Sequence, residues 1–176
     1  VVPQNECDQQ RATGERDLSL YFHLPFCYSL CWYCGCTVVI TQKQDSSTPY
    51  LDHIEKEIAL MKQLLNPKRK VVQFHFGGGS PTFLQPDEVR RLGKLIHSNF
   101  NVSPDVEASV EVDPRRLTRE HVKAFQNIGV NRASLGVQDN NPEVQQAVHR
   151  IQPFEMTAQV TGWLRDCGFK SLNIDL

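Results

Sequence analysis

Four cysteines fall within ten residues, Cys27, Cys31, Cys34 and Cys36, in the stretch YFHLPFCYSLCWYCGC. The C-x3-C-x2-C spacing of the first three can bring three thiolates to one side of an iron–sulfur cube and leave its fourth iron without a protein ligand. An iron left open in this way is a site for chemistry. Structural zinc usually takes two ligand pairs from separate turns to close a tetrahedral shell, and only the isolated Cys7 and Cys167 remain to supply a second pair. A disulfide framework belongs to short secreted chains that lack a core. This chain has 176 residues, is 40% hydrophobic and shows no signal-peptide pattern. Zinc and disulfides stand as alternatives to the cluster.

A formal charge of -1 with six histidines gives no sign of a nucleic acid or an acidic membrane as partner. No apolar run approaches the ~20 residues that a membrane-spanning helix needs. The expectation is a soluble, cytoplasmic monomer, in a reducing compartment that keeps thiols available as ligands. The sequence opens at Val1 and stops at Leu176 inside an apolar run, and is expected to be a fragment.

Residues 1–16 are polar and without periodicity, and read as an irregular leader ahead of a core at residues 17–176. A first strand is expected over residues 18–23, running into the cysteine loop. Ser47, Thr48 and Pro49 start a helix whose inner face carries Leu51, Ile54, Ile58, Met61 and Leu65. A second strand over residues 71–76 leads to Gly77, Gly78 and Gly79, then to a helix over residues 86–100 with Val89, Leu92 and Ile96 inward. In the third strand, residues 106–111, Val106, Ala108 and Val110 alternate with Glu107, Ser109 and Glu111. A helix over residues 118–128 closes at Gly129, a fourth strand spans residues 132–136, and two helices, the second ending at Cys167 and Gly168, precede a fifth strand from Ser171.

Strands alternating with helices imply right-handed crossovers and a parallel sheet, either open or curved into a partial barrel. Chemistry in such folds sits at the carboxyl ends of the strands. The unusual residues lie there: the cysteines after strand one, residues 77–80 after strand two, Glu111 and Asp113 at the end of three, Gln138 after four, Asp175 at the end of five.

The segments YFHLPFC, HFGGGSPTFL, SVEVDP, NRASLGVQD, VHRIQ and LNIDL follow one another around the cysteine loop. On these segments the chain resembles the radical S-adenosylmethionine enzymes, and among them the oxygen-independent coproporphyrinogen III oxidase family, over residues 18–175. The resemblance implies an α/β fold, a parallel-sheet partial (β/α) barrel of the radical S-adenosylmethionine type, here truncated after its fifth strand. It implies a 4Fe-4S cluster on Cys27, Cys31 and Cys34, with the amino and carboxylate groups of S-adenosylmethionine chelating the free iron. Cys36 is the family's fourth cysteine and is not expected to ligate; related haem chaperones usually lack it. The resemblance assigns Tyr21, Gly78, Gly79, Ser80 and Glu111 to the cofactor, with the glycine loop receiving the ammonium group and Glu111 holding the ribose. Tyr33, between two of the ligands, is placed where its ring could cover the adenine and help to exclude water, with core packing as the plain alternative. Ser80 stands where threonine is usual. Gln138, Arg150 and Asp175 match contacts to a second S-adenosylmethionine molecule. At His149 relatives commonly carry asparagine.

The implied reaction is the oxidative decarboxylation of two propionates of coproporphyrinogen III to vinyl groups, giving protoporphyrinogen IX, with an electron donor as partner. A haem chaperone of the same superfamily is the competing expectation.

Taken alone, the same residues have plainer readings. Period two puts Tyr21 and His23 on one face of the first strand, where their polar ends need partners. Arg150 has the forked donors that suit a carboxylate. Three glycines in a row are often no more than a tight turn. His53, His97 and His121 lie on expected helices without partners at metal spacing and read as exposed. Cys7 and Cys167 need no function.

Overall fold

The alternation expected around residues 106–111 organises the protein, seen in a computed structural model that describes residues 16–176. Five strands form one sheet: β1 (Leu18–Leu24), β4 (Lys70–Gly78), β5 (Asn101–Val112), β6 (Arg132–Gly136) and β7 (Ser171–Asp175). They lie side by side in that order and every pair is parallel. Sequential order without a reversal is the arrangement of one side of a β/α barrel rather than of a doubly wound sheet. The expected leader lies outside the described residues, apart from Arg16, and so does Cys7.

The sheet has two unlike faces. Phe22, Leu24, Phe74, Phe76, Ala108, Val110 and Leu135 point to one side and are almost wholly buried. The helices cover them: α1 (Ser47–Leu64), α2 (Pro86–Asn99), α3 (Arg119–Asn127) and α5 (Phe154–Asp166), with the short α4 (Pro142–Ala147) before the last. Burial of each large apolar side chain contributes about 1.5–3 kcal/mol, so this face holds the fold together. Tyr21, His75, Ser109, Glu111, Ser134 and Asp175 occupy the opposite face, as period two requires. That face carries the polar chemistry.

Helix ends follow the expected signals. Asn141 caps α4 by accepting the Glu143 N–H at 2.8 Å, and Gly129 and Gly168 take positive φ (95° and 79°) just past α3 and α5. Glu88, in the first turn of α2, accepts from the Gln85 N–H at 2.9 Å and from Ser47 Oγ at 2.7 Å, which ties the starts of α1 and α2 together.

Several expectations change. β5 begins five residues before Val106, at Asn101. Its pairing with β4 jumps from Val71↔Val102 to Gln73↔Glu107 because the intervening stretch contains Pro104, which has no N–H for a ladder. Gly77 and Gly78 belong to β4 rather than to a loop. Met61 is exposed and borders a hollow between α1 and β1, not the core. His53 and His97 are exposed, but His121 is only 4% exposed. Its Nδ1 lies 2.7 Å from Thr118 Oγ1 in the cap of α3, so the position serves the helix end instead of solvent. No helix among the described residues is long and apolar enough to cross a membrane.

Candidate functional site

The cysteine loop springs from the carboxyl end of β1. Leu24 is followed by β2 (Phe26–Cys27), which pairs in parallel with β3 (Val39–Ile40) on the far side of the loop. Two backbone bonds, Val39 N–H to Pro25 O (2.8 Å) and Thr41 N–H to Cys27 O (3.0 Å), close the loop at its base. Two-residue strands have no periodicity to read, and this clip was not legible in the sequence.

A second clamp comes from the end of α4. Trp32 donates its N–H to Val148 O at 3.0 Å, its ring stacks on His149 at 5.6 Å, and His149 Nδ1 lies 2.9 Å from Leu30 O. His149 sits at φ 56°, in the left-handed region that asparagine and histidine tolerate better than most residues. Histidine therefore suits the backbone at this position.

Cys27, Cys31, Cys34 and Cys36 all border one cavity of about 280 Å³ at the carboxyl ends of the strands. Tyr33, Gly78, Gly79, Glu111, Gln138, Arg150 and Asp175 line it as well. Among the described residues no three His, Cys, Asp or Glu side chains converge closely enough to grip a single ion. Thiols spread around the wall of a cavity that Gly78 and Gly79 also line would suit a polynuclear cluster better than one tetrahedral ion. Burial, then Asp113 and the neighbouring Cys34 and Cys31, push the Cys27 thiol up to about 11 against the weaker pull of Arg115. Burial is also the main reason that Tyr33 rises to about 12.

Two guanidinium groups meet at Cys31. Arg115 Nη2 lies 3.5 Å and Arg150 Nη1 3.6 Å from its sulfur. Asp113 links them, accepting Arg115 Nη2 at 2.6 Å and standing 3.6 Å from Arg150 Nη1. Burial works against the Asp113 carboxylate, but the Arg115 hydrogen bonds and the charges of Arg150 and Arg115 outweigh it and hold the pKa low. Arg150 is 8% exposed and also donates to Gly136 O at 2.7 Å. Its Nε is buried without a hydrogen-bond partner among the described residues.

The glycines have a tighter reason than ligand access. A Cβ on Gly79 would stand 2.6 Å from Pro25 O, and one on Gly78, at φ 115°, 2.7 Å from the His23 ring. Gln138 takes φ 71° while its N–H donates to Asp175 O at 2.8 Å, a strained backbone of the kind that gathers at functional sites. The Asp175 carboxylate accepts Ser134 Oγ at 2.9 Å.

Two expected residues are not brought to the cavity. Tyr21 is 59% exposed, lines the hollow beside α1 and stacks on His75 at 5.8 Å. Buried Ser80 turns its hydroxyl to Thr82 Oγ1 at 3.0 Å and borders a neighbouring hollow. Arg115 and Ser134, by contrast, line the cavity without having been singled out. The signal for Arg115 was local: an Asp-Pro-Arg run at a strand end lets Asp113 cap the 3₁₀ turn Pro114–Arg116 and turn the arginine back.

Residues 21–176 match the family described as the Radical SAM superfamily. The chain is 47% identical over 160 residues to an oxygen-independent coproporphyrinogen III oxidase of Helicobacter pylori, covering 90% of this chain and 35% of that protein. With the enzyme of that description from Escherichia coli it is 44% identical over 162 residues, covering 92% and 35%. The chain thus spans about a third of the length of these curated relatives. The solved coproporphyrinogen III oxidase HemN from Escherichia coli, a radical SAM enzyme, superposes with a TM-score of 0.92 at 41% identity, covering 100% of this chain and 40% of that one. The anSMEcpe structure with bound AdoMet shares the fold at a TM-score of 0.60 and 14% identity, over 89% of this chain and 42% of that one. Sequence and sheet agree across the whole cysteine-bearing core, and the chain belongs to the Radical SAM superfamily, which implies a 4Fe-4S cluster and S-adenosylmethionine as cofactors.

Proposed function

We propose that this chain is the cofactor-binding part of an oxidoreductase that converts coproporphyrinogen III to protoporphyrinogen IX without oxygen, decarboxylating two propionates to vinyl groups. The observation that carries the reading is the gathering of Cys27, Cys31, Cys34 and Cys36 on one cavity. It occurs in a chain 47% identical to an oxidase named for that substrate. Cys27, Cys31 and Cys34 hold the cluster and must be deprotonated to do so. Held by these residues, the cluster and S-adenosylmethionine would supply the one-electron radical chemistry that the propionates need.

The protein's part is to orient and to exclude water. Gly78 and Gly79 bring bare backbone to the cavity rim. Glu111, held by the Gly78 N–H at 3.2 Å, presents carboxylate oxygens to ribose hydroxyls. Tyr33 shields the adenine beside Cys31. Gln138, Arg150 and Asp175, which share the cavity wall, serve a second S-adenosylmethionine molecule. Tyr21 acts from behind, through His75, and Ser80 through the backbone: its N–H donates to Phe26 O at 2.8 Å, which fixes the rim. The protein works as a monomer in the cytoplasm, fed by an electron donor.

The test is anaerobic incubation of the full-length protein, reconstituted with iron and sulfide, with coproporphyrinogen III, S-adenosylmethionine and a reductant. Divinyl product and 5′-deoxyadenosine are expected. Tight haem binding without vinyl product makes it a haem chaperone, and stoichiometric zinc without broad iron–sulfur absorption makes it a zinc-stabilised module.

A further inference from the structure

The segment from Asp113 to Arg115 is built around the sulfur of Cys31. Asp113 accepts the Arg115 N–H at 3.0 Å and grips its side chain through Nε at 2.9 Å and Nη2 at 2.6 Å. The guanidinium is thereby fixed, with Nη2 3.5 Å from Cys31 Sγ and Nη1 3.5 Å from Ser29 Oγ. We infer that Arg115 sets the reduction potential of the cluster by donating a charged hydrogen bond to the sulfur of Cys31, with Asp113 as the counter-charge that holds it there. The inference rests on the cluster reading proposed above.

The physics is differential. Adding an electron to an iron–sulfur cluster raises electron density on its sulfur ligands, so a cationic N–H donor at one of them stabilises the reduced form more than the oxidised form. Hydrogen bonds to ligand sulfurs and local charge are the protein's means of moving such potentials. Arg115 is 18% exposed at its side chain, so water screens the interaction little. Asp113 has the opposite sign: a carboxylate this close favours the oxidised form. The two residues therefore shift the potential in opposite directions, which a merely structural clamp would not do. Arg115 acts through Cys31 and is a positioning residue, not a catalytic one.

The test uses full-length protein, wild type and three variants, reconstituted anaerobically with iron and sulfide. The cluster is poised against redox mediators and read by EPR, without substrate. For Arg115→Met, the ratio of reduced to oxidised cluster at the wild-type midpoint should fall about tenfold, a shift of about 59 mV for one electron. Arg115→Lys, which keeps the charge without the fork, should shift the same way by less. Asp113→Asn should raise the ratio. Equal midpoints in wild type and Arg115→Met overturn the inference, as do shifts of one sign in Arg115→Met and Asp113→Asn. If Arg115→Met fails to hold a cluster, the signs from Arg115→Lys and Asp113→Asn decide. If all three fail where wild type succeeds, the pair is structural and the inference is wrong. Absence of a 4Fe-4S signal from the wild type itself instead removes the cluster reading.

Discussion

Gly78 donates its backbone N–H to Glu111 Oε2 at 3.2 Å, joining the tips of two adjacent strands at the rim of the cysteine cavity. The other carboxylate oxygen lies 3.3 Å from His75 Nε2, and His75 Nδ1 lies 2.7 Å from Ser109 Oγ. A Cβ on Gly77 would reach 2.9 Å from that same His75 nitrogen and 3.0 Å from Glu111 Oε1, so the strand needs glycine for the carboxylate to sit there.

This placement predicts that Glu111 binds cofactor with little further loss of side-chain freedom. Hydrogen bonds to a charged group are worth about 1.5–3 kcal/mol. Glu111→Gln in the full-length protein is therefore expected to weaken S-adenosylmethionine binding by roughly tenfold or more, with the cluster absorption unchanged. Equilibrium dialysis on reconstituted protein measures it, and an unaltered affinity takes Glu111 out of the cofactor site.

The four cysteines should divide three to one. Cys27→Ala, Cys31→Ala or Cys34→Ala each removes a third of the donor set and is expected to abolish stable cluster assembly. Cys36 is exposed at the mouth of the loop, and burial, together with a hydrogen bond and the charge of Cys34, raises its thiol pKa. Cys36→Ala should keep the iron and acid-labile sulfide content of the wild type. A normal cluster in any of the first three variants contradicts the ligand assignment.

The sequence made some of this visible and hid the rest for physical reasons. Period-two alternation in Val106, Ala108 and Val110 named the core face of β5 correctly, because one face of the sheet is covered by helices and the other is not. Gly129 and Gly168 marked helix ends because only glycine takes positive φ freely there. The β2 and β3 clip could not be read, since two-residue strands have no period and their parallel partners are distant in sequence. His121 looked like a surface histidine, because a buried polar ring is told apart only by its cap partner Thr118. Residues 77–79 suggested an approach for a ligand, and Gly78 and Gly79 do line the cavity, but the closeness of Pro25 O and the His23 ring, which also demands glycine there, had no sign in the sequence. The Asp-Pro-Arg run hinted that Arg115 turns back, but its approach to Cys31, 84 residues away in sequence, left no local trace.

Glycine positions give a paired stability test. At Gly79 a methyl group would meet backbone on one side, Pro25 O at 2.6 Å and Pro25 C at 2.7 Å, and backbone cannot swing aside. Gly79→Ala is expected to destabilise the fold by about 1–3 kcal/mol. Gly162, inside α5 with nothing within 4 Å of its would-be Cβ, should behave oppositely. Gly162→Ala is expected to stabilise by about 0.5–1 kcal/mol. Denaturant unfolding of the two variants should bracket the wild type, and a wild-type midpoint for Gly79→Ala would show that the rim has room to relax.

His121 gives the pH dependence. Its Nδ1 accepts the Thr118 N–H at 3.3 Å, which needs that nitrogen unprotonated, and its Nε2 is buried without a hydrogen-bond partner among the described residues. Burial holds the imidazole below its ordinary value near 6.5, with the Leu84 backbone opposing this only in part. A depressed histidine means that the unfolded chain binds the proton more readily than the folded one. Its contribution to stability is therefore complete above about pH 6.5 and is lost as the pH falls through the depressed value. His121→Gln removes that proton linkage. Thermal unfolding of the full-length protein between pH 7.5 and 5.0 should show the wild type losing stability more steeply than His121→Gln as acid is added. Parallel pH profiles for the two proteins would place the ring in a water-accessible setting that the α3 cap does not provide.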